Sequence, residues 1–148
     1  MQYEVTNFQA GAEGLFVRLF PGEEIHASLK TLARERKIPS ASLTGLGAVN
    51  EIVLALYDPA SRAYRETRLT EDLEIATMTG NLSWLGDEPI LHVHGVVSRA
   101  DCTTAAGHIM RGIVSVTLEV MLQVSRVRIE RRADEAVGLN LLHLSRRV

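Results

Sequence analysis

One segment of the chain has the hydrophobic spacing of an amphipathic helix. Its apolar residues recur at i, i+4, i+7 and i+8, which places them on one helical face. The stripe consists of Ile25, Leu29, Leu32 and Ala33. Glu23 and Glu24 precede it, where acidic side chains suit the positive end of the helix dipole, and Pro39 ends the segment. The pattern therefore predicts a single principal helix.

The rest of the chain reads as strands, many with alternating apolar and polar residues and separated by turn residues. Gly45 and Gly47 lie within one of them and indicate a bulge or a close backbone approach. The predicted strands are residues 15–20, 41–49, 52–57, 64–69, 72–80, 81–84, 90–97, 113–124, 127–129 and 137–144. This content predicts an α+β fold in one domain, residues 1–148. The helix would pack on a largely antiparallel sheet that is curled or closed into a barrel.

Composition narrows the class of protein. The 148 residues are 46% hydrophobic and carry a formal net charge of −2. A protein that binds DNA through phosphate neutralisation is usually clearly basic, so strong direct binding to nucleic acid is not expected. Cys102 is the only cysteine, which excludes an intrachain disulfide. No signal peptide is visible, and the most apolar segment, residues 113–124, is too short to span a bilayer, so a soluble cytoplasmic protein is expected.

Three of the five histidines fall between His92 and His108. His92 and His94 alternate with Leu91 and Val93, so both imidazoles would point to the same face of a strand. A third imidazole from His108, after the chain reverses, would complete a three-nitrogen site of the kind that binds Zn²⁺ with one open position. Such a site could hydrolyse a substrate, bind an anionic ligand or pin subunits together. The spacing alone leaves a structural role for these histidines equally open.

An ordered series of short motifs resembles a known family, the plants and prokaryotes conserved (PPC) domain. The motifs are FPGEEI (residues 20–25), TGLGAV (44–49), LEIATMTGNLS (73–83), LHVH (91–94), AGHI (106–109) and the strand that contains Glu119. The resemblance covers roughly residues 12–144. In plants the domain lies beside AT-hooks in nuclear proteins, whereas in bacteria and archaea it stands alone.

The resemblance implies an α+β homotrimer with a divalent metal, zinc or a similar ion, at His92, His94 and His108. It also implies a regulatory or DNA-associated role and possible protein partners. The sequence contains no Arg-Gly-Arg-Pro core of an AT-hook, so direct DNA binding is expected to be weak or absent. The alternative is a small metalloenzyme that uses the open position of a zinc ion on an unknown substrate.

Several other residues have a functional and a structural interpretation. Glu119 interrupts an apolar strand and is a candidate general base or acceptor for a ligand imidazole, or else lies on a solvated face. The plant domain contacts nuclear proteins through the region matching residues 73–83. Candidates for partner or subunit contacts there are Glu74, Ile75, Gly80 and Asn81.

The C-terminal quarter is rich in arginine, but acidic residues and alternation with valine and isoleucine favour a solvated strand face over a DNA-contacting ridge. These arginines are Arg126, Arg128, Arg131, Arg132, Arg146 and Arg147. Ser83 and Trp84 could line a pocket near the histidines, with packing favoured for Trp84. Cys102 is a weak candidate ligand because its neighbours indicate a turn.

Overall fold

The computed structural model describes residues 3–9 and 13–144, which form nine strands and one helix. In chain order these are β1 (Tyr3–Gln9), β2 (Glu13–Leu19), α1 (Ile25–Glu35), β3 (Ser40–Asp58), β4 (Ala63–Leu69), β5 (Leu73–Leu85), β6 (Glu88–Ser98), β7 (Thr104–Ser125), β8 (Glu130–Asp134) and β9 (Leu139–His143). The predicted α+β class, with one principal helix and a curled sheet, is confirmed. Arg146 and Arg147 lie outside the described residues.

Helix α1 begins where the sequence predicts. The carboxylate of Glu24 caps it by accepting a hydrogen bond from the Ala27 amide, since the first amides of a helix have no partner within it. All four residues of the predicted apolar stripe are buried in the core. The helix ends at Glu35, a few residues before Pro39. At 11 residues α1 is too short to cross a bilayer, and the described part of the chain contains no other candidate span.

Two long strands organise the sheet. β3 has 19 residues and pairs with β4, β5 and β7, while β7 has 22 residues and pairs with β2, β3 and β6. β6 lies between β5 and the first half of β7, so the sheet curls back on itself. All strand pairs are antiparallel except a single parallel bridge between Trp84 and Glu130. β8 and β9 form a hairpin at that edge.

Most of the observed strands are longer than the predicted ones, although β9 is shorter than the predicted strand 137–144. Segments 41–49 and 52–57 belong to one strand, β3, which shifts register at Gly45 and Gly47. A Cβ on Gly47 would lie 2.2 Å from the carbonyl oxygen of Thr117, so this glycine permits the close approach of β7. Segments 72–80 and 81–84 likewise join in β5. The strand predicted at 127–129 is wrong, because β8 begins at residue 130, and β1 was not predicted.

The outer face of the sheet carries a continuous row of side chains. Directly opposed residues point to the same face. The row consists of successive cross-strand partners on β2, β7, β3, β5, β6 and the first half of β7. In that order they are Phe16, Met121, Thr44, Thr79, His94 and His108. The opposite face of the sheet holds the core, with Leu43, Leu82 and Val93 buried there. Two of the three candidate ligands therefore end a surface row that begins at an exposed phenylalanine.

Candidate metal centre

The fold brings the three predicted histidines together. His92 and His94 lie on β6, and His94 is directly opposite His108 on β7. Potential ligand atoms of the three rings lie within 4.8 Å of one another. The ring centroids are 5.1 to 5.3 Å apart. The strand alternation and one chain reversal therefore create the cluster, as the sequence suggested.

The cluster has dimensions that fit a metal ion. Nε2 of His92 and Nε2 of His94 are 3.2 Å apart. Two nitrogens bound to one tetrahedral Zn²⁺ at about 2.0–2.1 Å would be separated by roughly 3.3 Å. Nδ1 of His108 is buried and has no hydrogen-bond partner, and an unpaired ring nitrogen beside two other imidazoles is an atom that an ion can satisfy. The donor set is three imidazoles with no carboxylate, which suits zinc and similar divalent ions.

The surroundings of His92 and His108 lower the pKa of both side chains and so favour their neutral imidazoles. Burial, followed by repulsion from His92 and His94, lowers the pKa of His108 to about 4. Burial and then the Arg131 charge lower the pKa of His92. A lowered pKa means that protons compete less for the nitrogen lone pairs, which are the atoms that bind a metal. The apo cluster is therefore ready to bind a cation near neutral pH.

Three further side chains surround the histidines. The Tyr64 ring on β4 lies 5.3 Å from the His108 ring. Asn81 on β5 is the cross-strand partner of His92. Arg131 lies on β8, and its guanidinium donates hydrogen bonds to the Asn81 side-chain oxygen at 2.9 Å and to Ser83 Oγ at 2.7 Å. The β8–β9 hairpin thus lies beside the cluster on the same face of the sheet.

Glu119 does not belong to this site. It is exposed on β7, eleven positions beyond His108, and is not one of the residues whose ligand atoms converge. Its cross-strand partners are Arg18 on β2 and Leu46 on β3, not residues of β6. Its exposure agrees with the solvated-face interpretation, and the candidate role of Glu119 as a base or as a hydrogen-bond acceptor for a ligand imidazole stays a prediction.

The four partner or interface candidates have different surroundings. Glu74 is exposed, whereas Ile75 is only 1% exposed and packs in the core of its own chain, which leaves no side chain for a partner. Gly80 lies against β6, where a Cβ would meet the His92 carbonyl oxygen at 2.1 Å. Asn81 lies beside the histidines. The Ile75 side chain is thus buried within its own chain, Gly80 and Asn81 adjoin the histidine cluster, and a partner role for these residues stays a prediction.

Sequence reasoning missed the role of Arg131. The sequence groups it with the solvated arginines, yet it is 8% exposed and donates hydrogen bonds to Ser83, Asn140 and Asn81. The alternation along the strand could have indicated this burial. Arg131 is two positions after the half-buried Ile129, so both side chains point to the same face, whereas the exposed Arg128 and Arg132 point to the other face. Tyr64 carried no comparable signal.

The remaining candidates are structural or exposed. Trp84 is buried and donates from Nε1 to the Ile38 carbonyl, and Arg128 lies over its ring. Ser83 is buried beneath Arg131. Cys102 is exposed in the turn between β6 and β7 and does not join the cluster. His143 is exposed on β9.

Comparison with known sequences gives a family match over most of the chain. Residues 8–126 match the Plants and Prokaryotes Conserved (PCC) domain, which is the PPC domain named above. The bifunctional protein GlmU of a Synechococcus strain is 31% identical over 131 residues, which is 86% of this chain. That alignment covers 20% of GlmU, so the chain spans about a fifth of the length of this curated relative.

Solved structures of similar proteins agree over nearly the whole chain. A candidate DNA-binding protein from Bacteroides thetaiotaomicron is 29% identical with a TM-score of 0.86, covering 94% of this chain and 96% of that one. A metal-containing protein from Archaeoglobus fulgidus is 27% identical with a TM-score of 0.82, covering 97% and 99%. These descriptions apply to those proteins, and both structures share the fold of this chain.

Proposed function

The chain belongs to the Plants and Prokaryotes Conserved domain family, and from that premise we propose that it is a metal-binding protein of regulatory type. One divalent ion, zinc or a similar metal, would bind to His92, His94 and His108. The observation that carries this proposal is the convergence of three imidazole donors within 4.8 Å. The Archaeoglobus fulgidus relative, described as metal-containing, supports it. When bound, such an ion supplies a positive centre with one coordination position for water or another ligand.

Metal content per chain tests the proposal directly. Protein purified without an affinity tag and equilibrated with Zn²⁺ is expected to hold about one ion per chain by mass spectrometry. The variant with His92, His94 and His108 all changed to Ala should hold none. His143→Ala is the matched control, because this exposed histidine lies outside the cluster, and it should keep the ion. Equal metal content in wild type and triple variant would overturn the assignment.

A homotrimer is the second part of the proposal. The family resemblance implies it, and the outer sheet face offers an apolar surface for it. Phe16, Leu46 and Met121 are 49%, 56% and 36% exposed on neighbouring strands of this face. Contacts between copies would cover side chains that otherwise remain in water.

Direct DNA binding by this chain is expected to be weak. The Bacteroides thetaiotaomicron relative is described as a candidate DNA-binding protein. Here the net charge is −2, and two surface arginines are neutralised locally, because Arg128 pairs with Glu130 and Arg99 with Glu71. Any association should therefore lack base preference and disappear as salt rises, which fluorescence anisotropy with labelled duplexes of different sequence measures. Tight, sequence-selective binding in 150 mM salt, a condition of about physiological strength, would contradict this expectation.

A catalytic role for the same ion is the second candidate function. It is favoured by the number of protein donors, since three imidazoles leave a fourth position for water or substrate. Glu119 lies outside the cluster, so among the residues beside the histidines a reaction would depend on Tyr64 or on the bound water itself. Screening hydrolysable esters and phosphoesters with the zinc-loaded protein tests this candidate, with the triple His→Ala variant as the blank.

A further inference from the structure

Arg131 is a buried cation without a buried counter-ion. Its side chain is 8% exposed, and its three hydrogen bonds go to neutral acceptors: Ser83 Oγ, the Asn140 carbonyl and Asn81 Oδ1. Within residues 14–144, no carboxylate forms an ion pair with it, although exposed arginines such as Arg34, Arg68 and Arg128 do form such pairs. Burying an arginine is costly when its charge is not compensated. Solvation at the surface therefore does not explain why an arginine occupies this position.

The guanidinium has unused hydrogen-bonding capacity. It carries five N–H groups. Nε donates to Ser83, Nη1 to the Asn140 carbonyl and Nη2 to Asn81. One N–H on each terminal nitrogen is left, which matches the two oxygens of a carboxylate or the paired oxygens of a phosphate.

Arg131 also lies next to the proposed metal centre. Its partner Asn81 is directly opposite His92 in the β5–β6 pair, so these two side chains start about 5 Å apart on the same face. The Asn81 oxygen accepts from Arg131, which leaves the Asn81 amide group as a further donor in this region.

We infer that the metal centre recognises a small oxyanion, a carboxylate or a phosphate, held jointly by the ion and by Arg131. This inference rests on the proposed function. An ion bound by three neutral imidazoles keeps its full double charge, and Arg131 adds one more, while the cluster contains no carboxylate to offset them. An oxyanion at the open coordination position would balance this charge and use the free guanidinium donors. Arg131 is thus a recognition residue as well as the anchor of the β8–β9 hairpin.

The test uses the full chain loaded with Co²⁺, whose visible absorption responds to changes in its ligands. Acetate and inorganic phosphate are titrated separately, which distinguishes the two oxyanion sources, and neutral acetamide serves as the uncharged match for acetate. At least one oxyanion should change the spectrum with saturation, and acetamide should not. In Arg131→Met the apparent Kd should rise at least tenfold. Arg132→Met, an exposed arginine on the same strand, should behave like wild type.

A second variant separates recognition from anchoring. Asn81→Asp is nearly isosteric and would give Arg131 an internal carboxylate 2.9 Å away, so the hairpin should stay anchored while oxyanion affinity falls. This variant decides the question if Arg131→Met fails to fold. Oxyanion affinity unchanged in every variant that folds, or no oxyanion response in Co²⁺-loaded wild type, would overturn the inference and leave the metal site standing. Failure of wild type to take up Co²⁺ would overturn the proposed function and this inference together.

Discussion

Gly80 positions the strand that carries two of the proposed ligands. A Cβ at this residue would lie 2.1 Å from the His92 carbonyl oxygen and 2.8 Å from the Val93 Cα, both backbone atoms of β6. Backbone in a paired strand cannot move aside as a side chain can. We therefore expect Gly80→Ala to lower the free energy of unfolding by about 1–3 kcal/mol, the usual cost of overpacking. Zn²⁺ affinity should fall as well, since β6 must shift.

Chemical denaturation and Zn²⁺ competition titration of Gly80→Ala measure both effects. Gly112→Ala is the control, because its Cβ would meet the flexible end of the Ile25 side chain at 2.7 Å and it lies away from the cluster. The control should lose stability but keep wild-type Zn²⁺ affinity. Unchanged affinity in Gly80→Ala would mean that β6 accommodates the methyl group without moving its histidines.

His26 makes the fold sensitive to acid. It lies on α1 with its Nε2 buried and unpartnered, and its pKa is lowered mainly by burial, with Glu24 opposing this effect and Lys30 adding to it. The unfolded chain therefore binds a proton at higher pH than the folded chain. This contribution to stability is complete above the ordinary pKa of 6.5 and is lost as pH falls below it. Apo protein should unfold more easily at pH 5 than at pH 7.5, and His26→Gln should lose less stability over that interval.

Urea unfolding at both pH values, with a chelator present, checks this expectation. His92 and His108 also have lowered pKa values and contribute with the same sign, so the triple His→Ala variant should show a reduced acid effect too. The two reductions should not add fully when the substitutions are combined, because a charge on His26 also disfavours protonation of His108. An identical acid effect in wild type and His26→Gln would contradict the role of His26.

The histidine cluster was predictable from single residues, whereas the residues around it were not. His92 and His94 alternate with apolar neighbours, and that local period is enough to place both on one face. Tyr64, Asn81 and Arg131 meet them only because three other strands converge there, and no local pattern records which strands pair. The sequence left the role of Glu119 open for the same reason, since only the strand register shows that it pairs with Arg18 and Leu46.

Among the elements, the helix was the most predictable and strand continuity the least. The stripe from Ile25 to Ala33 has a period that only a helix satisfies. The two halves of β3 looked separate because Asn50 and Glu51 interrupt the apolar pattern, yet a register shift between Val49 and Glu51 lets β3 continue there. The bulge predicted at Gly45 and Gly47 is a second register shift in the same strand. A break in the hydrophobic pattern can therefore mark a bulge as well as a turn.

Glu24 joins helix α1 to the sheet. One carboxylate oxygen caps the helix at the Ala27 amide, and the other accepts from the Gly112 amide on β7 at 3.3 Å. We expect Glu24→Ala to cost about 1 kcal/mol, the typical value for losing a helix cap. Glu24→Gln keeps an acceptor oxygen and should lose less stability.

Thermal denaturation followed by circular dichroism measures the order of stability of the two variants, and Zn²⁺ content should be unchanged in both. A Glu24→Gln loss as large as that of Glu24→Ala would argue against the cap as the cause.

Across the whole molecule, the metal centre and the apolar surface lie on one face. The row of cross-strand partners places Met121 three strands from His94, which is about 14 Å at the usual strand spacing. A second copy seated on this surface would therefore lie close to the coordination site and could limit access to it. All three histidines nevertheless come from one chain, so metal binding and assembly should be separable.

Substitution of Phe16 tests assembly without touching the histidines. Wild type is expected to have a mass in solution of three times 16.3 kDa by light scattering after size exclusion. Phe16→Glu should shift the mass to that of one chain, because a charge placed in an apolar interface loses its hydration. The control is Leu56→Glu, an exposed leucine on another part of β3, and it should keep the wild-type mass.

The dissociated Phe16→Glu protein should still bind about one Zn²⁺ per chain, since its ligands share β6 and β7 of the same chain. A single-chain mass for wild type would refute the trimer. Loss of Zn²⁺ on dissociation would show instead that neighbouring subunits help to hold the site.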